Sequence, residues 1–146
     1  MNGFLSTVEL EKHVRMMYGK ADDIMASDGI TVPLTTIFKE SEPPGEDGTT
    51  CFSDGNGYHL RVAERGRLYY DDITQDLFEI TYRAIKNNIS EASSIYEAKN
   101  RVPNQDFRRI MFAKRLQLFA AIGPEYAQRA KADIRIFLQK APFKDG

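Results

Sequence analysis

The chain has 146 residues, 42% of them hydrophobic and 28% charged, with a formal net charge of −1. Such a chain fits a single domain, residues 1–146, that hides roughly 68–70% of its unfolded surface, and the balance argues against a disordered or membrane protein. No apolar run approaches the roughly 18–20 residues of a membrane helix, and MNGFLSTVELE lacks a basic start followed by an apolar signal core, so a cytoplasmic protein is expected.

Ser6 and Glu9 have the spacing of a capping box, and Val8, Leu10, Val14, Met17 and Tyr18 supply the apolar positions of a first helix that Gly19 can stop. From Ala21 to Thr50 the chain turns irregular and acidic around Pro33, Pro43 and Pro44, with a local apolar pattern only from Thr31 to Phe38. EPPGEDG, Glu42 to Gly48, reads as an exposed loop, because Pro removes a backbone donor and Gly weakens helix and strand alike.

Thr49–Ser53, Tyr58–Glu64 and Leu68–Asp71 are short runs separated by DGNG and RGR, turn chemistry that joins antiparallel strands. In the middle strand Tyr58, Leu60 and Val62 share one face, while His59, Arg61 and Ala63 share the other. Asp72 or Thr74 can cap the next helix, whose apolar surface is Leu77, Phe78, Ile80, Tyr82, Ile85 and Ile89, and which can continue to Arg101 with or without a break near Asn87 and Asn88.

Pro103 and Asn104 punctuate the start of a third helix near Gln105, with Phe107, Ile110, Met111, Leu118 and Ile122 on one face and Phe112, Leu116 and Phe119 on a second stripe. Gly123 and Pro124 form a hinge to a fourth, which places Tyr126, Ala127, Ala130, Ile134, Phe137 and Leu138 together and closes at Pro142. The expected fold is α+β: a small three-stranded antiparallel meander packed against a C-terminal helical bundle, with an N-terminal helix.

QDFRR-x-x-F-x-K followed by L-x-x-I, then G-P-E-Y-A-x-R and a closing P-F, resembles the C-terminal block of the bacterial immunity protein 63 family. The matching residues are Gln105, Asp106, Phe107, Arg108, Arg109, Phe112, Lys114, Pro124, Glu125, Tyr126, Ala127, Arg129, Pro142 and Phe143, and DGNGYHLRVAERG from Asp54 to Gly66 is a second match. The resemblance covers roughly residues 50–143. It implies a small cytoplasmic protein, without catalytic residues or cofactor, that binds and neutralises the cognate toxin domain of a contact-dependent growth inhibition or other polymorphic toxin system.

The residues themselves leave few sites for chemistry. Cys51 is the single cysteine and His13 and His59 are the two histidines, so neither a disulfide nor a metal-ligand cluster is expected. DGNG lacks the following helix that a phosphate cradle needs, and a hairpin turn accounts for it. Arg108, Arg109, Lys114 and Arg115 suggest an alternative, a basic helical nucleic-acid-binding or regulatory module, but they point in different directions around the helix and suit ion pairing or snorkelling.

Charge is unevenly distributed: residues 1–60 hold ten acidic and four basic residues, and residues 61–146 hold eleven and sixteen. An acidic surface can complement the basic cleft of a nuclease toxin and speed association. Candidate toxin-binding residues are therefore Asp22, Asp23, Asp28, Glu40, Glu42, Glu46 and Asp47 of the acidic segment, with Tyr58, His59 and Arg61 of the meander.

Overall fold

Ser6 and Glu9 close a reciprocal box: Glu9 N donates to Ser6 Oγ at 3.1 Å and Ser6 N donates to Glu9 Oε1 at 2.9 Å. In this computed structural model, which describes residues 3–146, the box opens helix α1, Thr7–Ser27. The helix runs through Gly19, the expected stop, because the apolar stripe continues as Leu10, Val14, Tyr18, Ala21 and Met25, all buried. It ends instead at Gly29, whose φ of 71° admits the reversal while Gly29 N reaches Ala26 O and Ile30 N reaches Met25 O.

The sheet has four strands rather than three, in the order β1-β2-β3-β4: Ile37–Phe38, Gly48–Asp54, Gly57–Glu64 and Arg67–Thr74. The last three form the expected antiparallel meander, and the added β1 pairs parallel to β2 through Ile37↔Thr50 and Phe38↔Cys51. Two residues carry too little periodicity to be recognised locally, and their partners lie beyond the proline loop.

Gly57 is required where it stands: its φ is 135°, and a Cβ there would sit 2.8 Å from Thr74 O. Arg65 and Gly66, both at positive φ, make the tight β3–β4 turn. The β3–β4 register shifts between Val62, opposite Tyr70, and Ala63, opposite Leu68, so Tyr69 is an extra residue in the edge strand. Beside this bulge Ala63, expected on the open face, is buried.

Helix α2, Leu77–Lys99, is capped by Asp76, whose Oδ1 accepts from Phe78 N at 3.0 Å; Asp72 and Thr74, the expected caps, belong to β4. No break occurs at Asn87 and Asn88, and Asn88 is buried. Asp106 caps α3, Phe107–Ile122, and Pro124 opens α4, Pro124–Lys140. Gly123 joins them in an extended conformation, φ 169°, so the hinge uses no left-handed residue.

Two compact units result, Met1–Met16 with Leu34–Asn87, and Met17–Pro33 with Asn88–Gly146. The first contains the sheet and a core that includes Leu10, Val14, Cys51, Leu60, Ile80 and Ile85; the second contains α3, α4 and a core around Met25, Ile89, Leu118, Phe119 and Tyr126. Their charges oppose: the sheet unit has twelve acidic and eight basic residues, a net −4, and the helical unit nine and twelve, a net +3.

Candidate protein-docking surface

Strand alternation places His59 and Arg61 on the face of β3 opposite to Tyr58 and Leu60, and the register sets Phe52 beside His59 and Asp71 beside Arg61. A continuous row of contacts crosses the sheet from these positions. Arg61 Nε is 3.3 Å from Asp71 Oδ2, and its guanidinium lies 4.7 Å from the centre of the Phe52 ring. Phe52 stacks on His59 at 4.4 Å with a 5° interplanar angle, and His59 Nε2 is 2.9 Å from Asp54 Oδ2. The His59 hydrogen bond, helped by Asn56 N–H, holds the Asp54 carboxyl below the usual carboxylate range.

Arg61 also donates to the carbonyl oxygen of Ser41, which holds the acidic loop at this face. Glu40, Ser41, Glu42, Pro43, Phe52, Asp54 and Arg61 line a shallow cavity of about 410 Å³. Glu40 and Glu42 are exposed beside a guanidinium whose side chain is only 11% exposed. The fold thus brings together five residues expected to bind: Glu40, Glu42, His59 and Arg61 directly, and Glu46, which pairs with Lys39 at 2.7 Å in the same loop. Asp47 has local work, its Oδ1 accepting from Arg65 N at 2.9 Å.

The remaining candidates go elsewhere. Tyr58 is 3% exposed and its hydroxyl accepts from Leu5 N at 2.9 Å, so it is a core residue and does not belong to a docking surface. Asp22 and Asp23, expected in an irregular segment, are exposed on α1 within the helical unit. Asp28 is paired with Lys114, itself 5% exposed, 4.1 Å from the Tyr96 ring centre and bonded to Gln117 Oε1 at 2.9 Å. This pair lies within the helical unit, whereas the acidic loop belongs to the sheet unit.

The outer strand was expected from its run and turn, but its exposed apolar surface was not among the candidate site residues. Leu68, Tyr69, Tyr70 and Ile73 of β4 are 37%, 58%, 45% and 48% exposed, and Arg67 lies 5.1 Å over the Tyr69 ring. Their signal was topological: β4 is the last strand of a meander, and among the described residues no later segment returns to the sheet as a strand. Among the described residues, no group of three His, Cys, Asp or Glu could hold a metal ion, and no helix is long and apolar enough to cross a membrane.

In the helical unit, the QDFRR residues fasten the C-terminal tail. Asp106 accepts from Arg108 N and from Lys144 N, and Arg108 donates to the carbonyls of Ala141 and Pro142, each at 2.7 Å. Arg109 pairs with Asp145 at 2.9 Å and lies 4.3 Å over the Phe143 ring.

No curated protein and no solved structure matches the chain. The family model described as Immunity protein 63 matches residues 54–136, more than half its length, from the β2–β3 hairpin into α4. This span includes the QDFRR helix and the Gly-Pro-Glu start of α4, and the chain therefore belongs to the immunity protein 63 family.

Proposed function

We propose that this chain is a cytoplasmic immunity protein that binds one cognate toxin domain of a contact-dependent growth inhibition or other polymorphic toxin system, and thereby neutralises it. The observation that carries the interface is the pairing of an acidic unit, net −4, with a shallow cavity that Glu40, Glu42 and Asp54 line together with Arg61. A carboxylate-rich surface suits a basic partner, whose approach the carboxylates steer, while Arg61, held from the sheet by Phe52 and Asp71, fixes the loop that carries Glu40 and Glu42. A nuclease toxin, whose substrate cleft is cationic, is the partner class that best fits this chemistry. Inhibition needs no catalytic group or cofactor on the immunity side.

A nucleic-acid-binding role for the helical unit has less support. Arg101, Arg108, Arg109 and Lys114 are all paired with carboxylates, and paired cations add little to phosphate binding. Calorimetry separates the two readings. Immunity predicts a stoichiometric complex between the chain and the toxin domain encoded beside its gene, and no binding to DNA or RNA oligonucleotides; the reverse pattern would overturn it.

A further inference from the structure

β4 has β3 on one side and, among the described residues, no strand on the other. An edge strand leaves alternate backbone N–H and C=O groups unpaired, and native proteins blunt such edges with short length, lysine, proline or bulges. β4 spans eight residues, RLYYDDIT, without lysine or proline. Its bulge at Tyr69 lies near the start, so Tyr70 to Thr74 continue in regular register with β3. Tyr69, Tyr70 and Ile73 add apolar surface along the same strand.

One feature of β4 does discriminate among partners. Asp71 and Asp72 sit at its centre, with side chains 36% exposed, although each already pairs with an arginine of its own sheet unit, Arg61 and Arg83. If two copies paired antiparallel through β4, registers centred on Asp71 or Asp72 would put carboxylates opposite each other. Registers centred on Tyr70 would leave them diagonal. Like charges directly opposite destabilise a strand pair, so those two registers disfavour a second copy, while a strand bearing lysine or arginine at the facing positions meets complementary charge in them.

We infer that the edge of β4 receives an extended basic segment of the toxin domain by strand addition, with main-chain hydrogen bonds along Tyr70–Thr74 and cationic side chains facing Asp71 and Asp72. The inference rests on the immunity reading and specifies the docking mode within it. Strand addition draws affinity from the backbone and selectivity from alternate side chains. The acidic loop and the Arg61 row share the sheet with this edge, so one partner can engage both.

Amide hydrogen exchange on the full chain, free and bound to a catalytically inactivated form of the toxin domain encoded beside its gene, tests this directly. Strand addition predicts that alternate β4 amides, those not already bonded to β3, slow by at least ~10-fold in the complex. Ile73→Lys, on an exposed position, should weaken the complex by ~10-fold or more while the free protein keeps its fold. A complex in which β4 exchanges as in the free chain, or in which Ile73→Lys binds unchanged, would overturn the inference and leave the immunity reading standing. Concentration-dependent protection of β4 in the free chain would assign the edge to a second copy and also overturn it. Failure to form any complex would overturn the immunity reading, and this inference with it.

Discussion

Asp106 and Arg108 stand two residues apart and are joined twice, Nη2 to Oδ2 at 2.7 Å and Nε to Oδ1 at 3.1 Å, while the same carboxylate caps α3 through Arg108 N. Asp106 thereby orients the guanidinium that grips the tail carbonyls of Ala141 and Pro142. The distinctive QDFRR residues therefore have a folding role, fastening the C-terminal tail to the start of α3.

The tail clasp should respond to acid. Arg108 above all, with Lys144 N–H and Arg108 N–H, holds the Asp106 carboxyl far below 3.8, and Arg109 with Asp106 N–H lowers Asp145. A depressed folded pKa means that the unfolded chain takes up protons first as pH falls. The stabilisation is complete above about pH 4 and is lost as pH drops through the folded values. Thermal melts of wild type and Asp106→Asn should differ clearly at pH 7 and converge toward pH 2; a constant difference would contradict the assignment.

The Lys114–Asp28 pair makes a second prediction. Asp28→Ala strands a buried ammonium and should cost about 3 kcal/mol in urea unfolding, whereas adding Lys114→Met should recover most of that loss. Additive losses in the double variant would show that the two side chains act independently.

Cys51 is fully buried, and burial pushes its thiol up to about 12 from 9.0. Because the folded chain keeps this proton longer, its contribution to stability declines as pH rises from about 9 toward 12. Iodoacetamide should leave the native protein unmodified at pH 8 and label it quickly in denaturant. Rapid native labelling would place the thiol at the surface.

Charge reversal across Glu40, Glu42, Glu46 and Asp47 should slow association with the toxin domain by roughly tenfold at low salt, with a smaller effect at 0.5 M salt. Stopped-flow rates that do not change would remove this loop from the interface.

Features encoded by near neighbours were legible in the sequence. The Ser6–Glu9 box, both hairpin turns, the four helices and the meander follow from residues within one or two turns of each other. Features set by distant partners were not. α1 passes Gly19 and α2 passes Asn87 because their buried stripes continue on the far side, and β1 exists only through its pairing with β2. Among the candidate site residues, acidic character alone could not distinguish Glu40 and Glu42, which stand open beside Arg61, from Asp28, which is engaged by Lys114. Alternation put Tyr58 opposite to His59 correctly, but only the packed fold shows that its face is the core.

Growth after induction of the toxin domain in cells with and without this chain tests the central claim most directly. Neutralisation predicts that cells co-expressing the chain grow normally while cells with the toxin alone stop dividing. Equal killing in both, with the chain present at levels matching the toxin, would contradict it.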